Sequence, residues 1–231
     1  MKPQEIVDRA ISEGRKSLLE YEAYDVLSSY GIPVASYSLA KSTDEVKLVA
    51  HKIGYPLVLK IVSPDIIHKS DVGGVKLNIT DDEQLRRSYE ALIDDTRKNA
   101  PNAKIAGVLV EKMMPKSVEV VVGMIRDQSF GPTIMFGLGG VLVEIMKDVV
   151  FRIAPVSREE SFDMIKKVKG YPLLVGYRGS MSLDIESLAE LISNVSRIAM
   201  DIPEIDQMDL NPIIVYDKGL TVVDARIILV I

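Results

Sequence analysis

His68, one of only two histidines in the chain, lies in Ile66-Ile67-His68-Lys69-Ser70-Asp71-Val72-Gly73-Gly74-Val75, a polar loop between two strand-like runs. Its imidazole is the one neutral nitrogen nucleophile available in this stretch near pH 7. Gly73 and Gly74 lack a Cβ, so their backbone can approach a phosphate closely and aim N–H groups at it. Together these residues point to a histidine that carries a phosphoryl group. A surface hairpin with a glycine bulge and an incidental histidine is the simpler account, and residues elsewhere must decide.

Four other places bear on that choice. Lys60 interrupts the apolar run Leu57-Val58-Leu59-Lys60-Ile61-Val62, so burying this strand draws an ammonium group inward and calls for a partner anion, such as a nucleotide phosphate. On an edge strand the same lysine would instead guard against aggregation. Glu111 and Glu119 flank Lys112-Met113-Met114-Pro115, read as a strand ending in a bend. The exposed backbone of such a hinge strand can read an adenine edge, and the carboxylates can reach ribose hydroxyls or a ligand amine; two solvent-facing glutamates are the plainer reading.

Phe136-Gly137-Leu138-Gly139-Gly140-Val141 lacks the spacing of a dinucleotide fingerprint or a Walker A loop, and either holds a phosphate on backbone amides or turns the chain tightly. Asp209-Leu210-Asn211-Pro212 sets two oxygen-bearing side chains on one face of a strand, with Asp224 expected on the partner strand beyond the turn Asp217-Lys218-Gly219. Hard oxygens so placed suit Mg²⁺, which takes one or two protein ligands and completes its octahedron with phosphates and water.

These residues need a scaffold. Leu19, Ala23, Val26, Leu27 and Tyr30 recur at helical spacing over Ser17 to Tyr30, and Gly31 and Pro33 end that helix. An N-terminal helix spans about Pro3 to Ser17. A strand is expected at Val34 to Leu39, then a helix from Ser42-Thr43-Asp44-Glu45 to about Ile53, on which His51 is a solvated side chain. The strand Leu57 to Val62, the His68 loop and the strand Val75 to Ile79 follow, then a helix from Asp81 to Lys98 and a strand from Ile105 to Met114.

Further strands are expected at Ser117 to Ile125, Thr133 to Phe136, Val141 to Ile145 and Val149 to Ile153, and helices near Ser157 to Val168 and Leu183 to Asp201. The tail reads as strands Ile205 to Leu210, Ile213 to Tyr216 and Leu220 to Val223. Strands often come in consecutive pairs, so the class is α+β with antiparallel sheet. The expected division is an N-terminal helix over 1–19, a first lobe over 20–112 and a second over 113–231.

The 231 residues are 47% hydrophobic, ample for a core, and 33 acidic against 28 basic side chains give a net charge of −5. A chain of that balance has no basic field for nucleic acid. With no cysteine it has no disulfide, thiolate nucleophile or Cys-ligated metal. The opening lacks a signal-peptide core, and the apolar runs are far short of the ~20 residues of a membrane helix, so a cytoplasmic location is expected.

Taken in order, Lys60, Gly73-Gly74, Glu111, Glu119, Gly139-Gly140, Asn211-Pro212 and Asp224 resemble the nucleotide-binding set of the ATP-grasp fold. The likeness covers nearly the whole chain and is closest to β subunits of nucleotide-forming acyl-CoA synthetases. The histidine just before the glycine pair resembles the archaeal-type ADP-forming acetyl-CoA synthetases; succinyl-CoA synthetase instead has arginine and lysine among its loop glycines. The resemblance implies two α+β lobes that clamp ATP or ADP with Mg²⁺.

It further implies that a separate coenzyme A-binding α subunit, in an α2β2 assembly, forms an acyl phosphate and is phosphorylated on its own histidine. The group then passes to His68 and on to ADP. Lys60, Gly73, Gly74, Glu111, Lys112, Met113, Met114 and Glu119 would hold the nucleotide, Gly139 and Gly140 its phosphates, and Asn211 and Asp224 the metal. Asp209 would orient the imidazole. The loop from Ser63 to Asp71 is long for a hairpin, which suits a segment that moves. A carboxylate–amine ligase acting without a histidine relay, and a nucleotide-binding regulatory module without turnover, are the competing readings.

Overall fold

The computed structural model describes residues 2–140, 148–177, 179 and 181–230; the strand expected at Val141 to Ile145 lies outside them. In chain order the elements begin with α1 (Pro3–Ser12), α2 (Glu20–Ser29), β1 (Tyr37–Ala40), α3 (Thr43–Ile53), β2 (Leu57–Val62), β3 (Val75–Ile79), α4 (Asp82–Asn99) and β4 (Gly107–Lys112). They continue with β5 (Val118–Asp127), β6 (Gly131–Leu138), β7 (Val149–Ile153), α5 (Arg158–Lys167), α6 (Tyr171–Leu174) and α7 (Ile185–Asp201). The last three are β8 (Ile205–Val215), β9 (Leu220–Val222) and β10 (Ala225–Leu229).

Two compact units result: Leu19–Tyr21 with Ala35–Met114, and Met1–Leu18 with Glu22–Val34 and Pro115–Ile231. Residues 22–34, expected in the lobe 20–112, therefore belong with the C-terminal part of the chain.

In the unit of residues 19–21 and 35–114 the sheet order is β1-β4-β2-β3, antiparallel throughout. Leu57, Leu59 and Ile61 of β2 pack with Val108 and Val110 of β4 against Val46 and Ala50 of α3 and Leu85 and Leu92 of α4. Both helices start on side-chain caps: Ser42 accepts the N–H of Glu45, and Asp81 that of Gln84. Every residue of β2 is buried, which explains its unbroken apolar run. Lys60 therefore sits on an interior strand, not an edge. His51 is not merely solvated: its Nε2 lies 2.8 Å from Asp82 Oδ1, which also accepts the Tyr55 hydroxyl at 2.7 Å.

In the other unit the sheet order is β10-β8-β5-β6-β7, with β9 paired to β8, again antiparallel. α7 buries Leu188, Leu191, Ile192, Val195 and Ile198, while β5 and β6 bury Val120, Val122, Met124, Ile134 and Phe136. The expected strands Ile205 to Leu210 and Ile213 to Tyr216 are one strand with a bulge: Val120 pairs with Ile213 but Val122 with Leu210, so Asn211 and Pro212 together oppose Val121. No helix among the described residues is long and apolar enough to cross a membrane.

Gly74 packs most tightly against β2. A Cβ there would lie 2.6 Å from Ile61 Cγ2 and 2.9 Å from the Lys69 carbonyl oxygen. Gly74→Ala is expected to cost about 1–3 kcal/mol, the usual penalty for overpacking a close contact, read as a lowered denaturant midpoint.

Candidate active site

A row of buried charges runs along the β2–β4 face opposite the helices. Lys60 Nζ lies 2.7 Å from Glu20 Oε1 and 2.9 Å from Glu111 Oε2, and Glu20 Oε2 lies 2.9 Å from Lys69 Nζ. Glu20, Lys60 and Glu111 are 5%, 6% and 1% exposed. The anion that Lys60 requires is thus supplied by the protein itself. Burial alone would raise the Glu20 pKa. Attraction to Lys60 and then Lys69 outweighs it and holds the carboxyl at about 2 against an ordinary 4.5.

Glu20 and the ammonium of Lys69 were not among the residues singled out from the sequence. The one signal was the unmatched charge of Lys60, whose partner lies 40 residues away on another element.

The His68 loop is fastened on both sides. Before it, Asp65 Oδ2 accepts the N–H of Lys104 at 2.7 Å, and Ile66 packs against the core. After it, the Lys69 carbonyl accepts the N–H groups of Gly74 at 2.8 Å and Val72 at 3.3 Å, while the Gly74 carbonyl accepts the Ile61 N–H at 2.8 Å. Between these anchors His68 is exposed.

The Gly73 N–H is bonded to the Ser70 carbonyl at 3.1 Å, so the N–H groups of both glycines face loop oxygens, not an open phosphate cradle as expected. Their freedom serves packing instead: Gly73 has φ +69°, and Gly74 lies against β2.

The segment read as one hinge strand is divided. Glu111 is the last residue but one of β4 and Glu119 the second of β5, in different compact units, and residues 113–117 between the strands belong to neither. Lys112 Nζ donates to the carbonyls of Gly54 at 3.0 Å and Tyr55 at 2.6 Å, closing the end of α3. The Met113 N–H reaches the Pro56 carbonyl at 3.0 Å, and Met114 is half-buried.

In the other unit the structure gathers Glu119 with Gly139 and Asn211 with Asp224. The Gly139 N–H donates to the Glu119 carbonyl at 2.7 Å, and a Cβ at Gly139 would lie 3.0 Å from that oxygen; Gly140 follows at φ +64°. Glu119 is exposed. Asp224 is in the two-residue link between β9 and β10, not on a strand as expected. The Asn211 N–H donates to its carbonyl at 3.2 Å, and the Val223 N–H to that of Pro212 at 3.1 Å.

The β8 bulge therefore brings an amide oxygen and a carboxylate to neighbouring backbone positions, a donor set that fits Mg²⁺. Among the described residues no group of three or more His, Cys, Asp or Glu side chains could hold a metal. Asp209 pairs in register with Arg226, its Oδ2 3.6 Å from the guanidinium, and lines a shallow groove with Gly123, Met135 and Phe151. Burial raises its pKa, and Arg226 pulls it back.

Residues 9–229 match the family described as ATP-grasp domain. The chain belongs to the ATP-grasp family. Within that family it is 47% identical to the β subunit of acetate–CoA ligase (ADP-forming) I of Pyrococcus furiosus, over 99% of this chain and 98% of that one. It is 46% identical to acetate–CoA ligase (ADP-forming) I of Archaeoglobus fulgidus, with 99% of this chain matching only 33% of that longer protein.

Two solved structures of the dinucleotide forming acetyl-coenzyme A synthetase 1 of Ca. Korarchaeum cryptofilum are similar over 99% of this chain and 100% of theirs. One, in complex with coenzyme A, Ca-AMPCP and HgCl⁺, has a TM-score of 0.97 at 50% identity. The other, with coenzyme A, acetyl-coenzyme A and a phosphorylated phosphohistidine segment, has a TM-score of 0.92 at 48% identity. This ATP-grasp chain thus stands with the β subunits of ADP-forming acetate–CoA ligases.

Two outcomes follow from the buried charges of this ATP-grasp unit. Lys60→Met leaves buried carboxylates short of a cation and is expected to destabilise the fold by about 3–5 kcal/mol, measured by denaturant unfolding. The carboxyl of Glu20 is held below its ordinary value, so its stabilising effect is present above pH 4.5 and is lost as the pH falls toward about 2. The stability gap between wild type and Glu20→Gln should therefore close across that window.

Proposed function

We propose that this chain is the nucleotide-handling β subunit of an ADP-forming acyl-CoA synthetase, in which His68 ferries a phosphoryl group from a coenzyme A-binding α subunit to ADP. The observation that carries the reading is an exposed imidazole on a loop fastened at both shoulders. A side chain that must meet two partners has to stand clear of the core while its loop keeps a defined path. The phosphohistidine segment of the Korarchaeum synthetase and the subunit status of the Pyrococcus relative support the same assignment.

In the first transfer an imidazole nitrogen of His68 attacks phosphorus, and an N–P bond forms as the bond to the donor breaks. In the second, a terminal phosphate oxygen of ADP attacks that phosphorus, the N–P bond breaks, and ATP and neutral imidazole result. Alignment and positive charge are what such a transfer asks of the protein.

Lys60 supplies charge by exchanging a carboxylate partner for a phosphate oxygen, with Glu111, Lys112, Met113, Met114 and Glu119 as the further nucleotide contacts. Gly139 and Gly140 form a phosphate-side turn. Asn211 and Asp224 would hold Mg²⁺, which when bound neutralises charge on phosphate oxygens. Asp209 is the carboxylate proposed to orient the imidazole. The assembly is taken as α2β2 and cytoplasmic.

Incubation with ATP carrying a radioactive γ-phosphate should leave acid-labile, base-stable label on the wild-type chain and none on His68→Ala. That variant should lose phosphoryl transfer by about 10³-fold or more while still binding ADP. Near-normal transfer by His68→Ala would favour direct transfer without a relay. The chain alone should show no net acyl-CoA turnover, and robust turnover by it would remove the need for a partner subunit.

A further inference from the structure

Glu20 touches both halves of the transfer machinery. One carboxylate oxygen holds Lys60, the group assigned to the nucleotide phosphate, and the other holds Lys69, the residue next to His68. Both contacts are shielded from water: the Glu20 and Lys60 side chains are 1% and 7% exposed and that of Lys69 is 17% exposed. At such a site the loss of an ion partner is felt strongly by those that stay. The backbone of Lys69 is also the hub of the loop, since its carbonyl accepts the N–H groups of Val72 and Gly74.

We propose that Glu20 is a positioning residue, a shared counter-ion that fastens the His68 segment through Lys69 and tightens its hold when a nucleotide phosphate engages Lys60. The inference rests on the phosphohistidine reading for its purpose but on the ion contacts for its mechanism. When Lys60 turns toward a phosphate, Glu20 gives up part of one ammonium and binds the other more firmly. The His68 segment then stays docked while nucleotide is present. When the segment leaves and takes Lys69 with it, Glu20 falls back on Lys60 and competes with phosphate for that ammonium. By linkage the two effects are equal in free energy: nucleotide favours the docked segment, and the docked segment favours nucleotide.

Hydrogen exchange of the full chain, with and without ADP and Mg²⁺, reads this directly. Lys69→Met is expected to speed exchange of the Val72 and Gly74 amides, which the Lys69 carbonyl accepts, by about tenfold and leave those of α4 and β4 unchanged, while Lys69→Arg restores slow exchange. ADP with Mg²⁺ should slow these amides in wild type and in Lys69→Arg but not in Lys69→Met, and Lys69→Met should bind ADP several-fold more weakly. In a Glu20→Gln background Lys69→Met should have little further effect on ADP affinity; an undiminished effect there would mean that Lys69 touches phosphate itself, and would overturn the shared counter-ion.

Wild-type exchange rates in Lys69→Met would overturn it too. Labelling of His68 by γ-labelled ATP is scored in parallel. Label present with exchange unchanged leaves the relay standing and rejects the anchor. Label absent with exchange accelerated keeps the anchor and rejects the relay.

Discussion

A lysine on an interior strand organises the unit of residues 19–21 and 35–114. β2 is covered on both faces, and an ammonium there is tolerable only with anions at contact distance. Glu111 comes from the adjacent strand at 2.9 Å, and Glu20 from the start of α2 at 2.7 Å. Glu20 in turn draws in Lys69, so α2, β2, the His68 loop and β4 are held by one chain of opposite charges. Burying ions seldom adds net stability over a well-packed apolar alternative, so the arrangement is better understood as specifying which segments meet.

The placement of His68 follows from that chain. Lys69 is held by its side chain, and its carbonyl organises the turn that leads into Gly74; Gly74 can lie against Ile61 only because it has no Cβ. The residue just before so constrained a position is presented to solvent in a reproducible place. In the other unit the same end is reached by different means. There the backbone of Asn211 bonds that of Asp224, and the backbone of Gly139 bonds that of Glu119, so backbone hydrogen bonds bring these candidate residues together.

Much of the scaffold was readable along the chain because its signals are local. Ser42 and Asp81 cap the helices they were expected to start, and the strands around Lys60 and Val75 end close to where glycine and proline said they should. The short helix Tyr171–Leu174 escaped notice because one turn leaves no periodicity to see. β10 was missed because Ile227-Ile228-Leu229 breaks the simple alternation that marks a half-buried strand.

The candidate site is legible in its residue types and less so in its contacts. His68, Lys60 and the Asn211–Asp224 pairing could be picked out by chemistry. Glu20 could not, because a counter-ion 40 positions away leaves no mark on the local pattern. The role of the glycine pair is hidden for a related reason: freedom of the backbone says that something comes close, but not whether it is a ligand or a neighbouring strand.

The bulge in β8 separates what folding asks from what chemistry asks. Met208 and Leu210 point inward on one side of it, and Ile213 and Val215 do so on the other. A chain shorter by one residue at Asn211–Pro212 would keep all four in step and run as an uninterrupted strand. The hydrophobic core gains nothing from the additional position; what it yields is the close backbone approach of Asn211 to Asp224.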